Sequence, residues 1–149
     1  MTRWDKWRAL SWADRLLLLH AARLLLRARA RLPSTEFRPE VDPDATGQGL
    51  ALEPPGIARA QQVARLVSMA SAGTPGSFTC LHRSMVTWRL LRQEGIPCRL
   101  RLGARDRGQE PFEAHAWVEC YGVPLGEQDA HLARYSPFGR AVIPADWLT

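Results

Sequence analysis

The chain has 149 residues, 46% hydrophobic and 23% charged, with a formal net charge of +5; this suits one soluble domain with a real core and excludes a disordered polyampholyte. The positive charge is almost all arginine, since Lys6 is the only lysine, and it is uneven: Met1 to Arg31 carries eight basic and two acidic residues, and the rest is close to neutral. A pI near 9.8 is therefore no nucleic-acid signature for the whole chain. A basic arm of this kind suits an acidic peptide, anionic lipid or nucleic acid, or is simply a solvated helix face.

Three cysteines, Cys80, Cys98 and Cys120, form no CxxC pair. An odd, unpaired set argues against a disulfide scaffold and against zinc, and for free thiols in a reducing compartment. The leucine run Leu16 to Leu26 is interrupted by His20 and Arg23, too short and too charged for a membrane span, with no signal-peptide cleavage site behind it. The expected location is the cytoplasm, with no cofactor.

In chain order, Ser11 and Asp14 resemble a capping box, and a helix is predicted from about Trp12 to about Arg31, stopped by Leu32-Pro33. Its leucines cover more than one stripe, so it needs cover from its own domain, a partner or a membrane surface. Residues 33–56 are rich in proline, glycine and acids and read as a linker or surface loop. Pro54-Pro55 opens a second helix, carrying Ile57, Ala60, Ala64, Val67 and Ser71 on one face and ending at Gly73 to Ser77. The third helix is the best marked: Thr79 is its N-cap, Cys80 lies in its first turn, and Leu81, Met85, Trp88 and Leu91 form its apolar face. By the same phase His82 is exposed, and Arg83, Arg89 and Arg92 fall away from the core. Gly95 ends the helix as a left-handed C′ residue before Ile96-Pro97.

The period then changes to alternation. Cys98 to Leu102 is a strand, Arg105 to Pro111 a hairpin-like loop, and Phe112 to Cys120 a second strand. On that strand His115, Trp117 and Glu119 share one face, and Ala114, Ala116, Val118 and Cys120 the other. Val123 to Leu125 reads as a short third strand and Val142-Ile143-Pro144 as a last edge strand. Two regions are expected, a basic helix with its acidic linker (1–56) and a core (57–149), together making one compact domain.

The chemistry lies between Thr79 and Asp129. A thiol is a nucleophile only as thiolate, and a helix N-terminus stabilises that anion at Cys80. An imidazole from a neighbouring strand, His115, would serve as its partner, with Glu127 or Asp129 orienting the far ring nitrogen. Singly these residues are weak signals. Cys98 and Cys120 read as core thiols, Trp117 as packing or a shield for the site, and His131 has no evident partner.

Cys80-Leu81 leading a helix, Leu90 to Pro97, Gly103, Ala114-His115-Ala116-Trp117-Val118-Glu119 with Gly122, and Tyr135-Ser136-Pro137-Phe138 together resemble the leader peptidases of lasso-peptide biosynthesis, the transglutaminase-like B-proteins. The resemblance is specific over residues 57–138 and looser over the N-terminal helix. It implies an α+β, papain-like or transglutaminase-type fold with the catalytic Cys at a helix N-terminus on a small antiparallel sheet, preceded by N-terminal helices. It implies a cysteine peptidase that removes the leader from a ribosomally made precursor, with Cys80 as nucleophile and His115 as general base and acid. The family's aspartate falls where this chain has Glu127, so Glu127 is the favoured acid and Asp129 its substitute. The first 56 residues are too few and too helical for the leader-recognition domain that some members carry, which implies a separate leader-binding protein. The lasso cyclase is a further possible partner, nucleic acid is not expected, and membrane contact by the first helix is not favoured. Two other readings stand beside this one: acyl transfer or deamidation by the same triad, and a non-catalytic peptide-binding module.

Overall fold

A computed structural model describes residues 3–39, 56–105, 113–126 and 129–144. A short helix α1 (Arg3–Arg8) precedes α2 (Trp12–Arg31), and a 3-10 turn (Leu32–Ser34) leads into β1 (Phe37–Pro39). Then follow α3 (Ile57–Gly73), α4 (Cys80–Gln93), β2 (Arg99–Arg105), β3 (Glu113–Cys120), β4 (Val123–Pro124), α5 (Asp129–Leu132), β5 (Ser136–Pro137) and β6 (Val142–Pro144). The sheet is antiparallel with order β1-β6-β2-β3-β4, and β5 also pairs with β2. The expected α+β architecture, helices on one antiparallel sheet, is the one observed.

The helices close on one another because their contact faces are small. Ala21 and Ala28 of α2, and Ala60 and Ala70 of α3, are essentially fully buried, and side chains of that size let helix axes approach. Leu24 and Leu25, Val63 and Val67, and Met85, Trp88 and Leu91 of α4 complete a core shared with Leu100, Val118 and Cys120 of the sheet. Asp14 is among the polar residues buried at the edge of this core. The Asp14 carboxylate accepts from Ser11 Oγ (2.8 Å) and Gln62 Nε2 (2.7 Å), so its burial leaves it hydrogen-bonded. Ser11 Oγ in turn accepts from the Asp14 N–H (3.1 Å), the predicted cap of α2.

Both ends of α4 are closed as predicted. At its C-terminus Gly95 has φ +72°; its N–H bonds to Arg92 O (3.1 Å) and that of Ile96 to Leu91 O (2.9 Å), the paired bonds of a Schellman motif.

Three expectations change. Phe37–Pro39, read as loop, is a strand because Val142–Pro144 pairs with it. That partner is correspondingly not an edge strand: β6 lies between β1 and β2. The strand after Gly95 runs to Arg105, as a seven-pair register with β3 carries it past Leu102. The predicted helix opening at Pro54-Pro55 and the loop residues 106–112 lie outside the described residues.

Candidate active site

The start of α4 is held by reciprocal capping. The Thr79 hydroxyl accepts from the His82 backbone N–H, and His82 Nδ1 accepts from the Thr79 N–H at 3.0 Å. A His doing the work of the usual Glu or Gln at N3 must be neutral, with its proton on Nε2. Burial, and after it the Arg29 guanidinium, hold the imidazole below its ordinary pKa. Helical phase alone predicts an exposed His82, yet it is buried. Its ring turns back to the cap and meets Phe78 edge-on, with 6.1 Å between centroids.

Cys80 is therefore the first residue of a well-fixed, 14-residue helix, half-buried and with a free thiol. It lines a cavity of about 220 Å³ whose wall is made by Ala64 and Ser68 of α3, by Arg83, Ser84 and Thr87 of α4, and by Trp117, Val118, Leu125 and Gly126. One turn along α4, the buried Ser84 hydroxyl donates to Ala116 O at 2.9 Å. The carbonyl of Ala116 points to the side of β3 where β4 pairs only with Glu119 and Cys120. Helix α4 is thus pinned to β3 at the residue next to His115.

His115 pairs across the sheet with Gly103. Val118 and Cys120 belong to the helix-side core, so the alternation puts His115, Trp117 and Glu119 on the opposite face, as predicted. There His115 has its own neighbours. Its ring centroid is 4.9 Å from Tyr135, 5.2 Å from His131 in an edge-on pair, and 6.0 Å from the stacked Trp117 indole. The Tyr135 hydroxyl donates to Glu113 Oε1 (2.7 Å), and Glu113 also holds Arg105 (2.7 Å). Trp117 is fixed by its Nε1 donating to Glu119 Oε1 (2.9 Å). A Cβ on Gly103 would stand 2.9 Å from the Trp117 ring and from Ser136 O; only glycine leaves the indole its place there.

Among the described residues no hydrogen bond joins the Cys80 sulfur to the His115 ring. Trp117 is shared by both neighbourhoods: it lines the cavity with Cys80 and stacks on His115. Asp129 begins α5, the element that also carries His131, and Glu127 lies outside the described residues. Cys98 and Cys120 are buried core thiols; a hydrogen bond with Cys98 lowers the Cys120 pKa, although burial opposes it. Among the described residues no group of three His, Cys, Asp or Glu is placed to hold a metal ion, and no helix is long and apolar enough to cross a membrane.

Comparison with protein families matches residues 8–140 to the transglutaminase-like superfamily. The chain belongs to that superfamily. Neither the curated proteins nor the solved structures give a significant match.

For a transglutaminase-like domain, cysteine peptidase or acyltransferase character is the family's common chemistry, and a cysteine at the head of a capped helix beside the sheet suits it. The match begins inside α1 and extends past β5, so α2 is part of the domain that carries Cys80. Sequence reasoning missed Arg83, Ser84, His131 and Tyr135. The phase of α4 places Arg83 away from the core, which is true, but the space there is the cavity. The Tyr135-Ser136-Pro137-Phe138 signature signalled that the tail matters without saying that it folds over His115.

Proposed function

We propose that this chain is a cysteine peptidase that removes the leader peptide from a lasso-peptide precursor delivered by a separate leader-binding protein. The observation that carries the proposal is the placement of Cys80. It heads a capped helix, opens into a cavity, and lies one turn from the Ser84–Ala116 bond (2.9 Å) that ties the helix to the strand of His115.

In this reading the Cys80 thiolate, favoured by the positive end of α4, attacks the scissile carbonyl. Unengaged backbone N–H groups of the first turn receive the oxyanion. His115 protonates the departing amine, then takes a proton from the water that resolves the thioester. Glu127, or Asp129 in its place, orients the imidazole. Catalytic hydrogen bonds tighten when substrate is bound, and in this reading that tightening brings the thiol and the imidazole together.

The test is to incubate the protein with precursor and leader-binding protein and follow both products by mass spectrometry. Release of an intact leader is expected, with Cys80→Ala lowering the rate by on the order of 10³-fold or more. Equal release by Cys80→Ala would sink the proposal. A mass gain of about one dalton on an unbroken peptide would instead identify deamidation through the same acyl-enzyme.

A further inference from the structure

The cavity at Cys80 holds a cation that the hydrolytic chemistry above does not use. Arg83 lines it, three positions after Cys80 and so on nearly the same side of α4. Two other arginines are spent on carboxylates: Arg59 grips Glu94 with two hydrogen bonds of 2.8 and 2.9 Å, and Arg105 holds Glu113. Among the described residues the Arg83 guanidinium has no hydrogen bond or ion pair, and the cavity wall contains no acidic residue. The remaining polar lining is the thiol and the hydroxyls of Ser68, Ser84 and Thr87.

A guanidinium keeps its charge at any working pH and presents a planar fork that fits a carboxylate. A Cys80 thiolate offsets it before reaction, but acylation removes that negative charge. At that stage a substrate carboxylate is the anion that complements the cation.

We propose that Arg83 is a specificity residue that recognises a carboxylate on the peptide, close to the bond that Cys80 attacks. This deepens the peptidase reading and rests on it. Three residues of helix rise about 4.5 Å, and an extended peptide advances about 3.3 Å per residue. The carboxylate therefore belongs to a residue within one or two positions of the scissile bond, either as an Asp or Glu side chain or as a chain terminus.

The test uses the full chain and two alkylating reagents of nearly equal size, anionic iodoacetate and neutral iodoacetamide, with peptide mapping to score Cys80 apart from Cys98 and Cys120. Relative to a blocked cysteine peptide, Cys80 should favour iodoacetate. Arg83→Gln should lower the iodoacetate rate about tenfold and leave the iodoacetamide rate within about twofold, whereas Arg83→Lys should retain part of the preference. In the unmodified protein the preference should also fade in high salt, a readout independent of any variant's folding. An iodoacetate preference unchanged in Arg83→Gln overturns the proposal and leaves the reactivity of Cys80 standing. A Cys80 inert to both reagents overturns the peptidase reading and this proposal together. Protection of Cys80 from iodoacetamide by N-acetyl-aspartyl amide assigns the carboxylate to a side chain, and protection by N-acetylglycylglycine assigns it to a chain end. Protection by neither overturns the assignment to substrate.

Discussion

His82 shows how one side chain fixes the end of the helix that carries Cys80. Its neutral ring accepts the Thr79 N–H at the head of α4, and protonation would remove that acceptor and add positive charge to a helix N-terminus. Its pKa is depressed in the folded state, so the unfolded chain binds the extra proton first as pH falls. The stabilisation is then complete above the ordinary imidazole value, about 6.5, and is lost as pH falls from there through the lower folded value. His82→Gln keeps an acceptor at that position; denaturant titrations from pH 7 to 5 should show a shallower loss of stability than in the parent. Ser84 is the second such residue. Ser84→Ala leaves Ala116 O without its donor and should cost about 1–2 kcal/mol in chemical denaturation. Because that bond pins α4 beside His115, peptide cleavage should fall by more than the fraction unfolded explains. Neither role is legible in sequence: a histidine three residues after a threonine does not fit the usual capping pattern, and a mid-helix serine reads as neutral.

At the level of elements, the helices were the readable part. Helix α4 declares both ends, through Thr79 and Gly95, and its apolar face through Leu81, Met85, Trp88 and Leu91. The β-hairpin was equally plain, because the change from helical to alternating period at Cys98 is abrupt. Strand β1 is not legible in this way, and β6 is legible as a strand but not in its place between β1 and β2. Each is three residues long with a proline; β1 has β6 as its partner and β6 lies between β1 and β2, a long-range condition that local pattern does not encode. The same limit applies to α5, four residues that place His131 against His115. It also bears on the acid of the proposed triad, since Asp129 opens α5 and Glu127 stands just before it. With Glu127 as the orienting acid, Glu127→Gln should lower kcat on the order of 10³-fold while Asp129→Asn stays within about tenfold. The reverse ranking would give the role to Asp129.

Across the whole molecule the two faces of the sheet divide the labour. Helix α4 packs on one face with α2 and α3 packed against it, and the segment from α5 to β5 brings His131 and Tyr135 against His115 on the other. Helix α2 uses only part of its circumference for this: Trp12, Leu16, Leu19 and Leu26 are 49–72% exposed, with Arg23 and Arg27 exposed among them. This stripe is where the leader-binding protein of the proposed function is expected to dock, through apolar contacts bordered by acidic groups that answer the arginines. Leu16→Ser with Leu19→Ser should leave stability within about 1 kcal/mol and abolish partner-dependent cleavage. Retained cleavage with both changes would move the docking surface elsewhere. Finally, the β1–β6 pairing has a consequence for how the chain reaches this state. Phe37–Pro39 emerges early in synthesis, but its partner emerges only after all the other strands. The ribosome thus releases α2 and β1 well before their side of the sheet can close. The pairing of Phe37 with Pro144 spans 107 positions of sequence, and closing a loop of that length is entropically slow. Strand β1 should gain its amide-exchange protection last on refolding, after the α4–β3 unit that bears the thiol.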